Sequence, residues 1–300
     1  MDISLIPTNK QELDSFLNVQ TTLLSKNPVF IGRFSGNEPY LCEHIITGKP
    51  LPPYLFQNML FMAGIQFCSE SDMLEYVHTY KNAFNNCDLI GVWCGIGQPM
   101  HTQSHFLYNH IKPLNNNLHK CVPFVASGLE PFCYMDSSQY AFDQIFQNKK
   151  VLIISSHANT IKSQLPKLDK LFPKPIFHPT TQFYVRKPPQ QNGGSHDTNS
   201  WKYHLHELKK ELSDVITKFD FDIALISCGG FGMPIAEHIY SQLGKSSVYV
   251  GGVLQIYFGI MGSRWENEPN VKKYVNKYWV RPMDIDRPKN VEYCENGCYW

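Results

Sequence analysis

Short apolar runs bounded by turn residues recur along the chain, each as long and continuous as a strand buried on both faces of a parallel sheet. They are Val29–Phe34, Asp88–Trp93, Val122–Ala126, Val151–Ser155, Pro175–His178, Phe221–Ser227 and Ser247–Gly251. Helical patterns lie between them. Over Ser71–Phe84 the residues Met73, Leu74, Val77, Tyr80 and Phe84 recur at three- and four-residue steps. Trp201–Phe219 repeats the pattern with Leu205, Leu208, Leu212, Val215 and Ile216 on one face and charged residues on the other. Strand and helix alternate through the second half of the chain. That order predicts an α/β fold: an open, mostly parallel sheet with right-handed crossovers and helices on both faces.

The whole chain, 1–300, is expected to form one such domain, with residues 1–28 as a helical N-terminal elaboration. No repeat or coiled-coil heptad divides it, and the clusters Asn85–Asn86 and Asn115–Asn117 read as loop filler. Residues 187–195, Lys-Pro-Pro-Gln-Gln-Asn-Gly-Gly-Ser, are predicted to form a flexible loop, because proline removes donors and glycine frees the backbone. The tail, 265–300, carries Tyr278, Trp279, Tyr299 and Trp300 and is too aromatic for a solvated end, so it should pack back on the fold. Arg281 within it could face a site.

Composition narrows the functional classes. Hydrophobic residues make up 43% and charged residues 18% of the chain, enough for a large core and too apolar for wholesale disorder. The formal net charge is +1, which lacks the broad positive field of a nucleic-acid binder. No apolar run reaches the roughly 18 residues of a transmembrane segment, and Met1–Ser4 lacks the basic-then-apolar form of a signal peptide. A cytoplasmic protein is expected. Nine cysteines, an odd number without C-x-x-C, read as buried reduced thiols rather than a disulfide framework. Cys294 and Cys298 have half the spacing of a zinc site, but no second pair completes it, so no zinc is expected.

Ligands of parallel sheets bind beyond the carboxyl ends of the strands, and four such ends are rich in glycine and polar residues. At Gly32–Pro39, Arg33 could fork a phosphate while Glu38 holds a divalent cation; an ion pair steadying a helix start fits equally. Ser155, Ser156 and His157 open a helix with Lys162 one turn in, which fits an anion site or an ordinary N-cap. Gly229, Gly230 and Gly232 open another helix, as a phosphate loop or a packing turn. Gly251 and Gly252 precede Arg264 and Trp265, which could clamp a phosphate and stack on a sugar or base, or form a surface cation–π pair.

Other chemistries lack support. The dinucleotide fingerprint fails after Gly230 and Gly232, where Ile235 takes the third glycine's place and no acidic residue follows about 20 positions on; NAD is not expected. Nor does the loop run on into the Gly-Lys-Ser/Thr of a Walker A. H-E-x-x-H is absent, and His204 and His206, two apart on a helix, do not share a face. No G-x-S-x-G elbow marks a serine hydrolase.

The turn Gly32-Arg33-Phe34-Ser35-Gly36-Asn37-Glu38 resembles the R-F-G-D-G-E motif of the GT-D class of glycosyltransferases. Ala224–Gly230 with Val250-Gly251-Gly252 resembles that class's C-terminal, nucleotide-side half. The chain is closer still to a group of proteins from polysaccharide-synthesis loci. These share the V-L-I-I-S…I-K-x-Q segment, here 151–164, and the Y-W-V-R-P…P-K-N…G-C-Y-W ending, here 278–300. The likeness spans most of 29–300.

The class implies a Rossmann-like sheet and transfer of a sugar from a nucleotide diphosphate donor to a glycan or polysaccharide acceptor, assisted by Mn²⁺ or Mg²⁺. Its Asp-x-Glu aligns with Gly36, Asn37 and Glu38, so one carboxylate is missing; Glu38 alone could hold a weakly bound ion beside phosphate and water. On this likeness Ser155, Ser156, Lys162, Gly229, Gly230, Gly232, Gly251, Gly252, Arg264 and Trp265 are the candidate donor residues. Arg33, Glu38 and His157 are the candidate catalytic residues, with Glu38 or His157 as acceptor base. The alternative is a non-catalytic nucleotide-sugar or glycan-binding module.

Overall fold

The computed structural model describes residues 9–25, 28–92, 120–189, 192–194 and 198–300. Met1–Ser4, Trp93, the asparagines at 115–117 and residues 190, 191 and 195 of the glycine–proline loop lie outside the described residues. Among the described residues seven strands form one sheet: β1 (Phe30–Arg33), β2 (Leu89–Val92), β3 (Val122–Val125), β4 (Lys150–Ser155), β5 (Gln182–Arg186), β6 (Ile223–Ser227) and β7 (Ser246–Tyr249). Their order is β3-β2-β1-β7-β6-β4-β5 and every pairing is parallel. The open parallel α/β sheet expected from the apolar runs is the one observed.

Side chains alternate across the sheet with a period of two, so each strand feeds two cores. Phe30, Ile90, Leu152, Ile154, Ala224 and Ile226 enter the first. It is shared with α2 (Asn37–Thr47), α3 (Pro53–Phe61), α4 (Glu70–Asn86), α6 (Trp201–Phe219) and α7 (Gly232–Ser241). Ile31, Val151, Ile153, Leu225 and Val248 enter the second, with α1 (Asn9–Leu24), α5 (Ala158–Gln164) and the segment 253–280. The chain therefore leaves β1 and β6 toward one layer, and leaves β4 and β7 toward the other. Neighbouring strands whose exits diverge leave a crevice at their carboxyl ends.

Local chemistry explains the elements. α4 is capped by Ser69, whose hydroxyl accepts from the Asp72 amide at 3.1 Å, while the Asp72 carboxylate accepts from the Cys68 amide at 3.1 Å. α6 runs over the nineteen residues its amphipathic pattern predicts, and Trp201 ties it to α4 by donating Nε1–H to the Asp72 carbonyl at 3.0 Å.

The strand predicted at Pro175–His178 is absent. Ile176 and Phe177 are buried from an irregular turn, where the Phe177 ring lies 4.9 Å from Phe146 and 5.2 Å from Phe258. The edge strand falls instead at Gln182–Arg186, where alternate residues are solvated and no continuous apolar run forms. No helix among the described residues is long and apolar enough to cross a membrane.

Candidate functional site

The carboxyl ends of β1, β4, β6 and β7 open into one cavity of about 430 Å³, roofed by the last residues of the chain. Arg33 ends β1, and its Nη1 donates to the Val250 carbonyl at 2.8 Å. This lays the guanidinium over Gly251, whose φ of +75° and crowding against Nη1 exclude any side chain. Glu38 sits in the first turn of α2, only 3% exposed, and accepts from the Ser35 hydroxyl at 2.5 Å. Burial pushes its carboxyl above the ordinary carboxylate range; the Ser35 bond and the Arg33 charge pull it back only in part.

Ser156 and His157 reach the cavity from β4, but Ser155 does not: its buried hydroxyl accepts from the His157 amide at 3.2 Å. The His157 ring stands 5.2 Å from Trp300, and Nε2–H donates to the Tyr299 carbonyl at 3.2 Å, which leaves Nδ1 as the basic nitrogen. Burial pushes its pKa down to about 4, so the ring is neutral at pH 7.

The anion predicted at the start of α5 is the protein's own carboxylate. Asp286, fully buried, accepts from the amides of Asn159 (3.3 Å) and Thr160 (2.7 Å), from Asn159 Nδ2 (2.8 Å) and from the Thr160 hydroxyl (2.7 Å). No helix N-terminus is left there for a ligand, and Lys162 points to solvent outside the cavity.

Of the third loop, Ser227 and Gly229 line the cavity, whereas Gly230 and Gly232 do not. The Gly230 amide donates to the Ala63 carbonyl at 2.7 Å, and a β-carbon there would strike Ile65 and the Tyr76 hydroxyl. One on Gly232 would strike the Tyr249 ring. These two glycines serve packing between α7, β7 and the 63–65 turn, not a phosphate.

Gly251 and Gly252 line the cavity beside Arg264. Arg264 Nη1 donates to Glu295 Oε2 at 2.5 Å and to the Tyr299 hydroxyl at 2.9 Å. Trp265 is buried 5.6 Å from the Tyr299 ring and faces a separate 50 Å³ cavity, so it is no stacking platform for a ligand in the main one. Arg281 pairs with Glu266 and donates to the Met261 carbonyl at 3.4 Å, away from the cavity lining.

Several lining residues escaped prediction. Cys294, Glu295, Tyr299 and Trp300 come from the tail, which wraps back with Glu295, Asn296 and Gly297 all at positive φ (51°, 55° and 69°). Tyr299 fits because Gly252 and Gly262 have no side chains to obstruct it. Tyr40 and Tyr54, from α2 and α3, also line the cavity. Glu130, behind Arg33 in the smaller cavity, is pushed up to about 7 by burial, which the Arg33 charge only partly offsets.

The donor set does not fit a resident Mn²⁺ or Mg²⁺. Asn37 Oδ1 accepts from Asn58 at 3.3 Å and Glu295 is taken by Arg264, which leaves Glu38 as a lone carboxylate where such ions need more oxygen ligands. No group of three His, Cys, Asp or Glu side chains converges among the described residues. Compared with protein-family models, curated proteins and solved structures, the chain matches none of them.

Proposed function

We propose that the protein is a glycosyltransferase that moves a sugar from a nucleotide diphosphate donor to a glycan or polysaccharide acceptor. The observation that carries this reading is the meeting of Arg33, Arg264 and the Gly251–Gly252 backbone around one cavity that also holds the buried carboxyl of Glu38. Glycosyl transfer needs a diphosphate to leave as the anomeric carbon becomes cationic. Preorganised cations and amides stabilise that charge, and one such donor is worth about 3 kcal/mol. Arg33 and Arg264 supply the cations.

The acceptor hydroxyl must lose a proton. His157, with its pKa near 4, is a weak base at neutral pH, whereas burial raises the Glu38 carboxyl above its ordinary value and makes it the stronger proton acceptor of the two. Glu38 is therefore assigned as the base. His157 is assigned to hold the tail through Tyr299. No step is assigned to a metal.

The incomplete Asp-x-Glu, with Gly36 in place of the aspartate, favours a second reading, a module that binds nucleotide sugars without turnover. Incubation with UDP- and GDP-sugars and a mixed oligosaccharide panel, read by mass spectrometry, separates the two. New glycan products support the transferase. Saturable donor binding without product or hydrolysis supports the module, and absence of both removes the donor reading.

A further inference from the structure

The cavity lining has two unlike groups of side chains. Arg33 at the end of β1 and Arg264 supply its cations, while Tyr40 of α2 and Tyr54 of α3 stand side by side in its lining. Their rings are 6.5 Å apart and 17° from parallel, and the Tyr54 hydroxyl donates to the Tyr40 hydroxyl at 3.2 Å. Tyr54 is 52% exposed, so about half of its side chain is open to solvent.

The pair is held in place. The Tyr40 ring meets the His44 ring edge-on at 4.5 Å, and His44 is fixed by donating Nδ1–H to the Pro50 carbonyl at 2.7 Å. Gly48, at φ 66°, ends α2, and Pro52 and Pro53 stiffen the start of α3, so the two helices present the rings at a set spacing.

We propose that the Tyr40–Tyr54 pair is the acceptor subsite and takes the apolar face of a terminal pyranose ring. This assignment rests on the reading of the cavity as a glycosyl-transfer site. The donor's charged group belongs beside Arg33 and Arg264. A growing glycan must run out into solvent, and half-exposed Tyr54 is where a chain can leave while its last ring stays stacked. Aromatic faces suit this task, being large, flat and apolar with a polar edge.

Saturation-transfer NMR tests the assignment, using neutral and N-acetylated di- to tetrasaccharides as one set of probes and UDP and GDP as another. At least one saccharide is expected to bind the native protein. Tyr54→Ala should weaken it tenfold or more, Tyr54→Phe should retain it, and UDP or GDP affinity should stay within twofold in both variants. Unchanged saccharide affinity in Tyr54→Ala, or no saccharide binding by the native protein, overturns the subsite. Loss of nucleotide rather than saccharide affinity also overturns it, and would give the platform to the donor's base. If saccharide binding depends on Tyr54 while neither UDP nor GDP binds the native protein, the subsite stands and the donor reading falls.

Discussion

Gly251 and Arg33 occupy each other's space: the guanidinium reaches the Val250 carbonyl only because Gly251 has no β-carbon. The glycine's φ of +75° adds a second requirement, since left-handed backbone strains any other residue by roughly 1–2 kcal/mol. Gly251→Ala should therefore lower stability modestly and weaken UDP or GDP binding as strongly as Arg33→Ala does. Calorimetric titration of both variants checks this. Normal nucleotide affinity in Gly251→Ala would separate Arg33 from the donor.

Glu38→Gln keeps the Ser35 contact in reach and removes the base. Transfer should fall by about 10²–10⁴ with little change in nucleotide affinity, the usual range for losing a general base. Because the native carboxyl is disfavoured as an anion by burial, the neutral amide should leave the fold at least as stable at pH 8. Unimpaired turnover would move the base elsewhere.

Arg264 already holds an anion, the Glu295 carboxylate at 2.5 Å, in a segment with three successive positive φ values. An incoming diphosphate must compete with it. Glu295→Gln should tighten UDP or GDP binding several-fold and steepen its dependence on salt, because binding then forms an ion pair without breaking one; both are measurable by titration at two ionic strengths. Weaker binding instead would mean that Glu295 contacts the donor directly.

The elements were legible where one physical signal dominated. α6 was recognisable from its apolar stripe, and β4 and β6 from unbroken apolar runs, because burial on both faces leaves no room for polar residues. β5 was not, since an edge strand alternates and Pro175–His178 imitated it. Of the site, the glycine-rich strand ends could be read, but a glycine needed for packing looks like one needed for a ligand; Gly230 and Gly232 are the first kind. Nor does local sequence reveal that Asp286, 126 residues beyond Thr160, fills the start of α5, or that the tail brings Glu295 and Tyr299 over the cavity. Those placements depend on the tertiary path of the chain.

Glu130 gives a pH dependence of known sign. Its folded pKa, about 7, lies above the ordinary carboxylate value of 4.5, so the folded state binds more protons between those values and loses stability as pH rises through them. The full displacement corresponds to roughly 3 kcal/mol. Glu130→Gln should therefore gain stability relative to the native protein on going from pH 4.5 to pH 8, measured by denaturant unfolding at each pH. A difference that does not change with pH would show that Glu130 is solvated.

His157 acts in the opposite direction. Its folded pKa of about 4 lies below the ordinary histidine value of 6.5, so the unfolded chain binds the extra proton first, and stability falls as pH drops from 6.5 toward 4. This group also contributes about 3 kcal/mol over the window. The strain has a specific outlet: a charged imidazole buried against Trp300 is relieved when the tail lifts and water reaches the ring. Acidification should therefore expose Trp300 before the sheet unfolds, seen as a fluorescence change that Trp300→Phe abolishes and that precedes the loss of far-ultraviolet circular dichroism. In His157→Gln, which is neutral throughout, the early fluorescence step should disappear while the later unfolding remains. Coincident transitions in the native protein would mean that the tail and the sheet melt as one unit, and that His157 does not control the roof of the cavity.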